Sequence, residues 1–184
     1  MNSRGSILVL LATVMALLSI LGATLLNVVL LNYRINKLNT ESKKAFYLSE
    51  NGLNESYIAA RKLINEAIAY SLEKVEEEML LHPLNEEEAK NFFSLNYKQY
   101  ITVNVRNEIS TTTNPAVEIR NDIIEFEDEE LSLLLRSTYV SENNVVKVTW
   151  AELLIGVPDY ILVKDGAGTG GDYVEFGKWG SRED

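Results

Sequence analysis

The sequence predicts an α+β protein: a long N-terminal helix, apolar in its first half, packed on a small antiparallel β-sheet. Residues 6–31 carry no charge, and the chain then runs without proline to Pro83 with apolar residues recurring every three to five positions. Beyond residue 100 the hydrophobic pattern turns to alternation, with Ser141-Glu142-Asn143-Asn144 between two apolar runs.

Residues 1–5 form a short basic tip with Arg4, and residues 6–31 a helix of roughly 39 Å at about 1.5 Å per residue. That exceeds the roughly 30 Å of a bilayer core, so the segment is read as a membrane span. It is apolar all round, unlike the one-sided helix of a soluble domain. A removable secretory signal has an apolar core of about 7–15 residues, shorter than this one, and Gly22-Ala23-Thr24 in its middle makes a poor cleavage site. Small residues Ser19, Gly22, Ala23 and Thr24 permit close helix approach.

Residues 32–82 are expected to form an exposed amphipathic half-helix. Ala45, Leu48, Leu53, Tyr57, Ala60, Ile64, Ala67, Leu72, Val75 and Met79 trace one stripe, with Glu and Lys opposite. His82-Pro83 marks the stop, because a residue before proline is biased out of the helical region. Asn51-Gly52 is the weak point: a bend, or a close approach to a neighbour.

Residues 83–163 are assigned to the antiparallel sheet. After a short helix following Pro83, Ile101, Val103 and Val105 alternate with polar residues as a half-buried strand does. Residues 117–124 read as a second, broken strand, and 131–140 with 145–155 as a hairpin whose asparagines tolerate positive φ. Tyr160–Lys164 reads as another strand, and residues 164–184 as a flexible Gly-rich tail.

The charge balance sharpens this division. The 184 residues carry a net charge of −10, yet Arg4, Arg34, Lys37, Lys43 and Lys44 against Glu41 make the first 44 residues +4, leaving −14 for the rest. Such an acidic head repels nucleic acid phosphates, so direct nucleic-acid binding is not expected. Absence of cysteine excludes disulfides, zinc-thiolate sites and thiol nucleophiles, and the lone His82 cannot build a histidine cluster. Low cysteine use with many Asn, Ile, Lys and Glu points to a bacterium that does not rely on disulfides outside the cell.

Arg4-Gly5 directly before Ser6-Ile7-Leu8-Val9-Leu10-Leu11 resembles a type IV prepilin leader. The stretch Ala45-Phe46-Tyr47-Leu48-Ser49-Glu50-Asn51-Gly52-Leu53 is similar to the A-F-x-x-A-E-x-G-L signature of PilX-type minor pilins. Together these features cover about residues 1–60. The resemblance implies a pilin-like fold, cleavage between Gly5 and Ser6 by a membrane-embedded prepilin peptidase, and N-methylation of the new Ser6 amine. It also implies that the apolar half-helix is held first in the membrane and then among other pilin subunits in a filament core. Where major pilins carry a glutamate, five residues after the cut, this chain has Leu10. A buried carboxylate needs a cation such as a neighbouring subunit's N-terminal amine, and Leu10 cannot make that pair. This favours a minor subunit.

Candidates for chemistry fail in context. The G-x-G-x-x-G within residues 165–172 lacks the helix and second strand of a dinucleotide site. The acidic run 125–130 lacks the spacing of a calcium loop and reads as a solvated turn. Tyr173, Phe176 and Trp179 at spacing three form the most adhesive-looking cluster, and Trp150 and Trp179 read as core or surface aromatics. No catalytic, cofactor or metal residues are assigned and no small-molecule substrate is expected.

The sequence therefore reads as a bacterial, exported minor pilin-like subunit, not an enzyme, located in the cell membrane and then in an extracellular filament. Its expected partners are other pilin subunits, a prepilin peptidase and the membrane. Simple counting of Lys and Arg near the span places the C-terminal bulk in the cytoplasm. The short N-terminal flank and its uncounted amino group weigh against that count. A pseudopilin of a type II secretion or DNA-uptake system shares the leader and helix. A single-pass ligand-sensing domain is the reading from another class, for which the five residues before the span leave no room for a cytoplasmic output unless the topology is inverted.

Overall fold

The computed structural model describes residues 3–182, with side chains from Ile7 to Ser181. The chain divides into two compact units, Met1–Lys43 and Lys44–Asp184, with helix α1 (Ser3–Leu81) contributing to both. In the first unit every large apolar side chain from Ile7 to Leu38 is exposed, and the helix is long and apolar enough to cross a membrane.

In the second unit α1 buries a narrow face rich in small residues. Ala45, Ser49, Gly52, Ser56, Ala60, Ala67 and Ser71 share it with Leu53, Leu63, Ile64, Ile68 and Val75. The expected stripe is largely this face, but Met79 is exposed, and Leu63, Ile68 and the serines extend it. The helix ends before Pro83, where the His82 N–H donates to the Glu78 carbonyl at 2.8 Å.

Helix α2 (Glu86–Ile109) corrects the strand expected at residues 101–105. Asn85 and Glu88 form a reciprocal capping box: the Glu88 N–H donates to Asn85 Oδ1 and the Asn85 N–H to Glu88 Oε2, both at 2.9 Å. Glu86, Glu87 and Glu88 in the first turn suit the positive end of the helix dipole. Ile101 and Val105 are buried four residues apart on one helical line, whereas Val103 points to solvent with 66% exposure. The apparent two-residue period was half of a four-residue one.

That line runs Ala89, Phe93, Tyr97, Ile101, Val105, Ile109. Steps of four advance about 40° around a helix of 3.6 residues per turn, so the buried line winds and meets successive neighbours. Phe93 packs on Tyr160, the Tyr97 hydroxyl donates to the Gly156 carbonyl at 3.1 Å, and the Ile109 carbonyl accepts from Ser56 Oγ at 3.2 Å.

Four antiparallel strands form a meander: β1 (Ala116–Ile119), β2 (Glu130–Val140), β3 (Val146–Gly156) and β4 (Val174–Arg182), in that order. Leu131, Leu133 and Leu135 of β2 face Ile155, Leu153 and Ala151 of β3 on the buried side, beneath the helices. The expected hairpin is present. Ser141 and Val145 close its turn with N–H to carbonyl bonding at 3.0 Å, and Asn144 takes φ 60.

The broken strand expected at residues 117–124 is shorter, four residues in all. Two asparagines continue its work past both ends. Asn114 donates to the Val140 carbonyl and accepts from its N–H, at 2.7 and 3.0 Å. Asn121 does the same with the Ser132 carbonyl and Leu134 N–H, at 3.1 and 2.6 Å. A carboxamide carries a donor and an acceptor side by side, as the backbone does. On the outer side of β1, Val117 and Thr111 exchange two backbone hydrogen bonds of 2.9 Å.

Two further expectations are corrected. Tyr160–Lys164 is a short helix, α3, capped by Asp159, whose Oδ1 accepts from the Ile161 N–H at 2.8 Å. Residues 164–184 are not a loose tail as far as they are described, because β4 occupies Val174–Arg182 beside β3. Gly177, Gly180 and a register shift between Ala151 and Leu153 hide its alternation.

Candidate functional site

The expected processing residues lie at the start of α1. Arg4, Gly5 and Ser6 belong to the helix, and their side chains lie outside the described residues. Leu10 is exposed, as are Ser19, Gly22 and Ala23, and a Cβ added at Gly22 would meet open space. The hydroxyls in this stretch are turned onto the helix itself: Thr13 donates to the Val9 carbonyl, Ser19 to Met15 and Thr24 to Leu21, at 2.8–2.9 Å. The segment thus presents hydrocarbon outward with its hydroxyl donors already engaged.

The signature stretch 45–53 is a packing element of the second unit. Ala45, Ser49, Gly52 and Leu53 are buried, whereas Tyr47 is exposed and touches Phe46 edge-on. A Cβ at Gly52 would fall on Ser137 Oγ and within 3.0 Å of the Pro115 ring, so the glycine is there for close approach and not for a bend. The Ser137 hydroxyl and that of Thr149, its opposite residue on β3, are buried without a hydrogen-bond partner.

Beside this stretch, Glu50, Leu53 and Asn54 of α1 and Ala151, Phe176, Gly177 and Trp179 of the sheet line a groove of about 390 Å³. The aromatic cluster expected from spacing does not assemble as one patch. Tyr173 is half-buried against Gly168, Phe176 lies 5.2 Å from the Tyr57 ring, and Trp179 stands 61% exposed at the groove. Trp150 covers Gly180 on the other side of the sheet. Glu50 and Asn54 are the groove residues that sequence reasoning missed. Their signal was only their place two residues either side of Gly52, about one turn from each other.

The Gly-rich segment is held by α1. Gly170 donates its N–H to Asn65 Oδ1 at 2.8 Å, and a Cβ there would sit 2.6 Å from the Arg61 carbonyl. Asp172 accepts from the Thr169 N–H and hydroxyl at 2.8 and 2.9 Å, which hold its carboxyl below the ordinary range. Burial pushes the Tyr97 phenol up. Tyr173 is raised by the same cause and by the nearby Asp172 charge. The segment lies between α3 and β4, not in the strand–glycine-loop–long helix order of a dinucleotide site.

The acidic run borders a depression of about 840 Å³ with Glu125, Glu127, Asp128, Glu130 and Glu152 on its walls. Lys98 Nζ donates to the Asp128 carbonyl at 2.5 Å and lies 5.8 Å from the centre of the Phe126 ring. Among the described residues no group of His, Asp or Glu side chains is placed to hold a metal ion.

No family model matches the chain, and no curated protein or solved structure matches it. The site's own geometry therefore carries the functional reading. The described residues offer packing faces, an exposed apolar helix and one aromatic groove.

Proposed function

We propose that the chain is a minor pilin-like structural subunit of a type IV pilus-like filament, anchored by residues 6–31 and processed between Gly5 and Ser6. The observation that carries this reading is the pairing of two features. One is a helix whose apolar side chains from Ile7 to Leu38 are all exposed; the other is an adjoining stretch whose Ala45, Gly52 and Leu53 pack into a helix-on-sheet head. An exposed stripe of this length is stable only in lipid or among similar helices. Thr13, Ser19 and Thr24 support both settings, since their hydroxyls are satisfied within the helix. Leu10 in place of a carboxylate removes a register contact and fits a subunit that supports assembly or the tip. The pseudopilin alternative shares each of these features.

N-terminal mass spectrometry of the chain expressed with and without a prepilin peptidase tests the reading. A chain beginning at Ser6, N-methylated and dependent on the peptidase, is expected. An N-terminus left unchanged by the active peptidase overturns it. Protease digestion of intact cells is expected to remove the acidic head, and a protected head would invert the topology.

A further inference from the structure

The two edges of the sheet are unlike. At the β1 side the outer backbone of Val117 is paired with Thr111, and Asn114 and Asn121 saturate the β2 groups beyond it. At the other side β4 is nine residues long, and among the described residues no segment pairs with its outer edge. It carries no proline, and Glu175, Phe176, Gly177, Lys178 and Trp179 are all exposed along it. A long, unpaired edge with exposed aromatics is a template for another strand, and natural sheets normally blunt it.

We infer that β4 pairs antiparallel with β4 of a second copy, joining two heads into one eight-stranded sheet about a two-fold axis between Phe176 and Gly177. The occupant follows from the strand's own charge and size pattern, which is self-complementary in that register. Glu175 stands opposite the partner's Lys178, and by symmetry Lys178 stands opposite the partner's Glu175, giving two ion pairs. Phe176, paired with Leu153, faces the helix side and Gly177, beside Glu152, the other side, so at the axis the two strands meet as facing bulges and the flanking positions carry the pairing. Trp179 stands opposite the partner's Val174. Within one chain Val174 and Trp179 pair with Ile155 and Ala151, residues of the buried side, so both lie on the helix side of the sheet. The 61% exposed indole thus gains cover at the mouth of the groove. This pairing stands independently of the filament assignment.

The test uses the full chain in detergent micelles, with the dimer dissociation constant read by sedimentation equilibrium. Lys178→Glu and Glu175→Lys each place like charges at both pairs, and each is expected to weaken dimerisation about tenfold. The double variant Glu175→Lys/Lys178→Glu restores both pairs and is expected to return within about threefold of the parent. If net charge alone governed association, Glu175→Lys would strengthen it, and that result overturns the proposal. A monomeric parent, four equal constants, or a double variant weaker than both singles would also overturn it. All these positions are exposed, and unchanged far-UV circular dichroism checks the fold. Because the chain has no cysteine, a mixture of Glu175→Cys and Lys178→Cys chains supplies a second measurement. Oxidation is expected to give mixed disulfide dimers in preference to either like pair. Equal yields of all three species would sink the register.

Discussion

Gly52 on α1 and Ser137 on β2 meet so closely that a single added carbon would fall on the serine oxygen. The contact lets the long helix lie directly on the upper part of the sheet, with Ser49 and Ser56 buried one turn away on either side. Gly52→Ala would gain about 1 kcal/mol of helix propensity. Overpacking of about 1–3 kcal/mol against Ser137 and the Pro115 ring outweighs it. Chemical denaturation is expected to show a net loss of up to about 2 kcal/mol. Ser137→Ala alone is expected to be neutral or stabilising, because it removes a buried hydroxyl with no partner. In the double variant it should recover part of the Gly52→Ala loss, and strict additivity would contradict the contact.

Asn65→Ala removes the acceptor for the Gly170 N–H while leaving α1 intact. A loss of about 1 kcal/mol is expected. Amide hydrogen exchange should accelerate at Gly170 and its neighbours and remain unchanged in β2. Uniform acceleration across the domain would show that the clasp is not a local restraint.

Asp172 titrates below its ordinary value of 3.8 in the folded chain, chiefly through its bonds from Thr169. Its depressed folded value means that its contribution is present above pH 3.8 and is lost as pH falls through the folded value. Carbon-detected NMR titration of the carboxyl is expected to place its midpoint below that of an unstructured aspartate, and Thr169→Ala should move the midpoint upward. An unmoved midpoint would refute the assignment.

Tyr97 gives the opposite limb of the pH profile. Burial raises its folded value above the ordinary 10.0, so its contribution is present below pH 10.0 and is lost as pH rises through the folded value. Ultraviolet absorbance is expected to show a tyrosine that ionises only with unfolding in alkali. Tyr97→Phe should abolish that delayed step at the cost of the hydrogen bond to Gly156.

Asn121→Ala leaves the Leu134 N–H and the Ser132 carbonyl without their amide. About 1–2 kcal/mol of stability should go with them. Light scattering is also expected to rise with concentration as that edge becomes available, whereas Asn121→Gln should give an intermediate effect.

Much of the fold was legible because it rests on long, local patterns. The charge-free run, the amphipathic α1 stripe and the turn at Ser141-Glu142-Asn143-Asn144 each repeat one signal many times. What failed rested on short or ambiguous ones. Ile101, Val103 and Val105 satisfy a two-residue period, but the deciding signal lay well upstream of Ile101, in the Asn85 and Glu88 capping box. Tyr160–Lys164 is β-branched and apolar, and Asp159 decided it for the helix. β4 was hidden because two glycines and a register shift erase the alternation that marks a strand. The groove was beyond reading, since Glu50 and Trp179 are brought together only by the packing of α1 on the sheet.

The asparagine brackets on β1 have a consequence for how large an assembly can grow. A sheet with two open sides can recruit copies indefinitely, and each added strand exposes a fresh template, which is the route to insoluble fibrils. Here Asn114, Asn121 and the Thr111 bridge stop one side, so joining two copies through the other leaves only stopped sides outward. Growth along the sheet terminates at a pair, and any longer polymer must be propagated by a different surface, such as the exposed apolar helix.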